Sequence, residues 1–483
     1  MALFSFLDRS HSIAKPGFSR WLVPPAALSI HLAIGQAYAF SVFKKPLNYL
    51  INVSAAGGGL KALPGVDSPN LADWKFTDLG WIFSLAIVFL GLSAAVFGKW
   101  LERAGPRKAM FASAVCFSSG FFISAVGVHF HQLWLLYIGY GVIGGIGLGI
   151  GYISPVSTLI KWFPDRPGMA TGMAIMGFGG GALIGSPLAR NLMNYFRGDH
   201  NLGVGETFVV MGAIYFVAMM FGVFTVRVPQ PGWKPEGWTA PARPKALITT
   251  HDVEVNAATI TPQFWLLWIV LCMNVTAGIG ILEQASPMIQ ELFKGRVGPA
   301  AAAGFVALLS LFNMGGRFIW SSVSDYIGRK NTYYVFFVLG AVLYYLMPRT
   351  AASGMNSVPL FVAIAALVIS MYGGGFATIP AYLKDLFGTM EVGAIHGRLL
   401  TAWSAAGIFG PMLFNYIREY EKNHGVALAD SYSTVLYVMV ALLIVGFIAN
   451  LLVRPVNSKH WYQAEKTTSS VASGSMSPAT QRS

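Results

Sequence analysis

Gly98-Lys-Trp-Leu-Glu102-Arg103-Ala-Gly105-Pro-Arg107-Lys108 and Ser321-Ser-Val-Ser-Asp325-Tyr-Ile-Gly328-Arg329-Lys330, 223 residues apart, are two versions of one charged turn. Each joins an acid and adjacent bases to a glycine where an apolar block ends. A turn that recurs in register after more than 200 residues says that the chain is built twice. The surrounding sequence shows what is built.

Of 483 residues, 55% are hydrophobic and 11% charged, with a mean hydropathy of +0.57. Soluble domains carry roughly 25% charge, so a water-soluble globule is excluded. Apolar blocks near the ~20 residues that cross a bilayer predict spans at Trp21–Phe43, Leu79–Phe97, Ala109–Val128, Leu133–Ile153, Met169–Leu192 and Thr207–Val226. Six more follow at Gln263–Leu282, Ala300–Ser322, Tyr333–Leu346, Pro359–Pro380, Gly397–Ile417 and Ser433–Val453.

The predicted organisation is a polar N-terminus (1–20), a six-helix bundle (21–226), a proline-rich connector (227–262), a second bundle (263–457) and a disordered tail (458–483). No cleavable signal segment precedes the first span, which is expected to be retained. With the N-terminus inside, Lys and Arg are more numerous in the inner segments, which predicts both termini in the cytoplasm. Orientation also accounts for the net charge of +13 better than nucleic acid, because the basic residues are dispersed among loops. Cys116 and Cys272 lie in apolar blocks and indicate neither a disulfide framework nor a metal centre.

The repeat extends beyond the charged turn. His31 and Gly35 correspond to Asn274 and Gly278 at an offset of 243, and Lys161 corresponds to Lys384 at 223. Two repeated six-helix units are the signature of transporters whose halves move around a site at their interface. Glycine runs such as Gly144-Gly-Ile-Gly-Leu-Gly-Ile-Gly151 permit close helix approach. They lie inside spans without the strand-to-helix setting of a phosphate loop, so direct ATP drive is not indicated. Neither HExxH nor GxSxG occurs within the spans, and no enzyme is expected.

The charged turn and twelve-span layout resemble the major facilitator superfamily. That resemblance implies an all-α integral membrane fold of two six-helix pseudo-repeated bundles. It also implies a cytoplasmic gate held shut by Glu102 and Asp325, with Arg103, Arg107 and Arg329 in the same turns. The stretches Ile30-His-Leu-Ala-Ile-Gly-Gln-Ala-Tyr-Ala-Phe-Ser-Val-Phe43, Phe312-Asn-Met-Gly-Gly-Arg317 and Leu399-Leu-Thr-Ala-Trp403-Ser-Ala-Ala-Gly-Ile-Phe-Gly-Pro411 resemble the oxalate/formate antiporter family. Exchange of small organic anions in a bacterial inner membrane, by a monomer without cofactor or metal, is the expectation.

Arg317 lies eight residues before Asp325, ~12 Å into the membrane at ~1.5 Å per residue. An arginine there costs at least ~2.5–3.5 kcal/mol on insertion scales and requires a partner or a wet cavity. Its own helix offers only neutral Asn313 one turn earlier. A substrate carboxylate can supply the missing charge through two parallel hydrogen bonds; bonding to carbonyls and amides of neighbouring helices is the alternative. The family's oxalate exchangers add a lysine in the eleventh span, where this chain has Trp403. One cation suits a monocarboxylate such as formate, pyruvate or lactate.

His31, Gln36 and Tyr38 in the first span, with Tyr140 and Tyr372, complete the candidate site. His31 has three readings: substrate contact, proton carrier or structural histidine. The competing functions are a proton-coupled symporter, with His31 or Glu283 carrying the proton, and a transporter-like anion sensor.

Overall fold

The computed structural model describes residues 2–48, 74–198, 202–239, 247–351, 355–426 and 428–463. The loop 49–73 and the last twenty residues of the tail lie outside them. Among the described residues there is no strand, only an isolated bridge between Ile13 and Val228.

Twelve helical spans follow in order. The first, α1, runs from Val23–Ile34 through tighter turns at Gly35–Ala39 and bends by 43° into Ser41–Asn48. Next come α2 (Phe76–Ala104), α3 (Pro106–His129), α4 (Leu133–Trp162), α5 (Pro167–Phe196) and α6 (Val204–Thr225). The second half comprises α7 (Pro262–Leu292), α8 (Pro299–Ile327), α9 (Arg329–Leu346), α10 (Val358–Phe387), α11 (Val392–Leu399, resumed as Thr401–Asn423) and α12 (Leu428–Leu452).

Most helices outrun the predicted spans, because hydropathy marks only the part inside hydrocarbon. The exposed end of α11, with Arg418, Glu419 and Glu421, is too polar for a membrane core, although its inner part completes the second bundle. Proline opens α3, α5, α7 and α8, where its missing N–H costs no helical hydrogen bond. Hydroxyls of Thr261 and Ser357 accept from Phe264 N and Leu360 N to cap α7 and α10.

Outward faces are apolar. Val217, Phe221 and Phe224 on α6 and Ile444, Ile448 and Leu451 on α12 are exposed at helical spacing. The glycines of α4 serve packing within the first half: Gly145 and Gly149 lie against α2, where an added Cβ would overlap the Ala86 and Leu90 carbonyls. Between Tyr137 and Gly144 this helix widens into a π-helical segment.

The two charged turns have one geometry. Gly105 sits at φ 89°, ψ 162° and Gly328 at φ 88°, ψ 149°, a region that only glycine enters without strain. Both lie on the face shared by the first and last described segments, the terminal face. The proline-rich connector, 227–262, is docked over its described parts. Val228 exchanges backbone bonds with Ser12 and Ala14, while Thr249 N and Val253 N donate to Asp385 O and Phe387 O.

Asp8 lies 2.6 Å from Lys108, whose hydrogen bond and charge hold its carboxyl below the usual carboxylate range. Of the tail expected to be disordered, Ser458–His460 forms a tight turn, and Trp461 stacks on His251 at 3.8 Å. Part of the tail therefore rests on the connector.

Candidate substrate site and gate

The site is built where α1, α4 and α5 of one half meet α8, α10 and α11 of the other. Close approach comes first. Gly316 of α8 packs on the Ser370 backbone of α10, and Gly172 and Gly179 of α5 pack on α8 at Phe318 and Met314. With little side chain between them, these helices bring the residues around Arg317 into one cluster.

Arg317 is fully buried. Its Nε donates to Asn313 Oδ1 at 3.1 Å; Nη1 and Nη2 make no well-formed hydrogen bond among the described residues, although the Tyr38 and Tyr152 hydroxyls of the other half stand beside the guanidinium. The guanidinium lies between Phe376 of its own half (5.1 Å) and Phe178 of the other (5.7 Å). Ring faces stabilise a cation but accept no fork of hydrogen bonds. No carboxylate pairs with Arg317 among the described residues. The arrangement leaves two parallel N–H donors for a planar anion.

Trp403 is buried against Phe376 (4.5 Å), Phe178 (5.3 Å) and Tyr152 (5.4 Å), with its indole N–H unpartnered. Tyr38 packs edge-on to Phe178 at 5.1 Å, and its hydroxyl meets that of Tyr372 at 3.3 Å across the two halves. His31 stands edge-on to Tyr152 at 5.3 Å and keeps Nδ1 on Ala27 O at 3.2 Å. Arg317, Asn313, Tyr38, Tyr372, Trp403 and His31 are thus brought together.

Gln36 and Tyr140 are not. They bond to each other at 3.1 Å inside the first bundle, where Tyr140 packs on Phe40 and Phe121. Gln36 is two residues from Tyr38, and such neighbours leave a helix on different sides. The side chain of Glu283 lies outside the described residues. Tyr152, Phe178 and Phe376 belong to the cluster although the sequence reading did not single them out. Nothing in an apolar span marks one aromatic as facing the other half.

The terminal face is shut by a two-fold exchange of helix caps. Glu102 Oε1 of the first half accepts from Gly393 N at 3.0 Å, at the start of α11, and from Ser157 Oγ at 2.7 Å; Lys161 binds Oε2 at 2.5 Å. Asp325 of the second half accepts from Gly168 N (2.9 Å) and Met169 N (2.8 Å), at the start of α5. Carboxylates at helix N-termini satisfy free N–H groups and meet the positive end of the helix dipole.

Arg329 links Asp325 (2.6 Å) to Asp385 (3.2 Å), and Lys99 lies 3.7 Å from Glu391 across the halves. Arg107 bonds Phe6 O and Val226 O, so it ties down the N-terminal segment of its own half. Arg103 is exposed at the end of α2.

Known proteins agree with this architecture. The 31% identity to the oxalate:formate antiporter of Oxalobacter formigenes extends over 330 residues, 68% of this chain and 73% of that protein. The apicoplast pyruvate carrier 1 of Toxoplasma gondii is 23% identical over 73% of this chain and 71% of its own length. Among solved structures, the transporter FucP in its outward conformation superposes with a TM-score of 0.61 at 12% identity, covering 90% of this chain and all of that one. The Major Facilitator Superfamily model matches residues 17–411 and 318–477. The chain therefore belongs to the Major Facilitator Superfamily of membrane transporters.

Proposed function

We propose that this transporter carries small organic monocarboxylates such as formate, pyruvate or lactate by alternating access, exchanging one anion for another. The observation that carries this reading is the buried Arg317 guanidinium, which has no carboxylate partner and whose two terminal nitrogens make no well-formed hydrogen bond among the described residues. A carboxylate completes both hydrogen bonds and the charge. The names of its relatives, an oxalate:formate antiporter and a pyruvate carrier, support the substrate class.

A single charge follows from Trp403. Among the described residues of the cluster Arg317 is the only Lys or Arg, so the second carboxylate of a dianion would be buried without a counterion, at a cost of several kcal/mol. In this reading the halves rock as units. The terminal face is cytoplasmic by its excess of Lys and Arg, and the protein works as a monomer in a bacterial inner membrane. Glu102 and Asp325 serve as the latches of the inner gate.

The deciding experiment is uptake of labelled pyruvate and formate into vesicles carrying the purified protein. Arg317→Gln should abolish uptake while leaving membrane insertion intact. Near-normal uptake by that variant, or oxalate competing better than pyruvate in the parent, overturns the proposal.

A further inference from the structure

The short first piece of α11, Val392–Leu399, carries contacts by which the second half meets the first on the terminal face. Gly393 N donates to Glu102, and Glu391, just before the piece, lies 3.7 Å from Lys99. On its own side the piece is gripped by the connector. Asp252 Oδ1 accepts from Thr389 N (2.7 Å) and Met390 N (3.0 Å) in the loop 388–391, and Glu391 Oε2 accepts from Val255 N (2.8 Å). Arg398 donates to Asn256 Oδ1 (2.6 Å), Thr259 Oγ1 (2.8 Å) and Val255 O (3.3 Å). Gly388, at φ 83°, lets the chain turn directly against Asp252, whose carboxylate a Cβ would overlap. Glu391 is thus divided: Oε2 holds the connector while Oε1 faces the first half.

The connector is held in turn by the tail. Tyr462 N donates to Asp252 O at 2.8 Å, and Trp461 stacks on His251 with the rings 16° from parallel. The turn Ser458–His460, capped by Asn457 Oδ1 on Lys459 N, leads the tail onto this spot. Asp252 is therefore held from both sides, its carbonyl by the tail and its carboxylate by the loop. One chain of contacts runs from the tail through 251–252 and the loop 388–391 to Lys99 and Glu102 of the other half. Ordering a surface segment costs conformational entropy, and here the ordered segment ends on the gate.

We propose that the docked tail (457–463) and connector segment (249–259) form a strap that regulates the terminal gate. The strap holds the first piece of α11 where Glu102 and Lys99 reach it, and its release shifts the carrier toward the state open on the terminal face. One strap segment leaves α12 and the other enters α7, so the strap moves with the second bundle and acts on the gate through the loop. A hydrogen bond needs its donor within a narrow range of distance and angle. A loop free to swing therefore weakens the closed state, whereas the open state has already broken these contacts. An equilibrium shifts by the difference between the two.

This inference rests on the reading of Glu102 as an inner latch and is independent of the substrate. The test is the rate at which a soluble maleimide labels a cysteine introduced by Ser321→Cys, in purified full-length protein lacking Cys116 and Cys272. Trp461→Ala, Asp252→Ala and a chain ending at Val456 should each raise the rate by about two- to thirtyfold, the range spanned by loss of a helix cap. Helix content and elution as a single species should stay those of the parent. In a Lys99→Ala/Glu102→Gln background the same changes should add less than about twofold, because the contacts that the strap positions are gone.

Unchanged labelling in Trp461→Ala, where Lys99→Ala/Glu102→Gln raises it, overturns the strap and leaves the latch standing. A full further increase in the Lys99→Ala/Glu102→Gln background also overturns it, since the strap would then act on stability at large. No increase in any variant refutes strap and latch together. Should the shortened chain aggregate, Trp461→Ala, a single change at a partly exposed position, decides alone.

Discussion

Arg317 keeps its charge in the membrane through a division of labour within one guanidinium. Nε is spent on Asn313 and the faces on Phe178 and Phe376, while the two Nη groups make no well-formed hydrogen bond among the described residues; in the proposed function they receive the substrate carboxylate. On that proposal Asn313 is a neutral positioning group, and its neutrality matters. Asn313→Asp would supply a permanent counterion 3.1 Å from Nε; uptake should fall to the level of Arg317→Gln with normal insertion, measured in the same vesicles. Trp403→Lys tests selectivity from the other side. A charge-assisted hydrogen bond contributes ~1.5–3 kcal/mol, roughly tenfold or more in affinity, so competition by oxalate relative to pyruvate should rise by about that factor. Arg317 was legible in the sequence because a lone basic residue in an apolar span is conspicuous. Phe178 and Phe376 were not, since the spans are full of aromatics and only packing selects the two that cover the cation.

The proposed gate elements are helix ends. Glu102 and Asp325 leave the ends of α2 and α8 and cap α11 and α5, each reaching from one half into the other. Loss of such a cap costs ~0.5–2 kcal/mol, which shifts a two-state equilibrium several-fold or more toward the open form. Asp325→Ala should therefore speed thiol labelling of a cysteine at Ser321, which is fully buried beneath α5, in a background lacking Cys116 and Cys272. Unchanged labelling would mean that the cap does not hold this face. The acid, the glycine turn and their repeat could be read from sequence. Their acceptor sites could not, because Gly393 and Gly168 contribute backbone N–H groups that every residue but proline carries. The bend in α1 is similar: its tight turns at Gly35–Ala39 put Tyr38 in the cluster and Gln36 in the bundle core.

The molecule as a whole is two bundles whose contact surfaces are lined with glycine. Gly91 of α2 lies on Ser404 and Leu400, and Gly397 of α11 lies on the Ala94 backbone. Gly397→Val would wedge the bundles apart, so exchange should fall severely while the protein still inserts. Gly304→Val, where nothing lies within 4 Å, should exchange like the parent; a similar loss in both would refute a specific role for the crossing. From sequence alone came the membrane class, the number and order of spans, the two-fold repeat and the isolated arginine. These depend on hydropathy, spacing and charge, which are properties of the chain read locally. Tertiary structure decided which face of each helix meets the other half. It joined Arg317 to the aromatic cluster, paired Gln36 with Tyr140 away from it and docked the connector. Side-chain direction depends on helix rotation, bend and packing depth, and in an almost uniformly apolar span no periodic pattern records them.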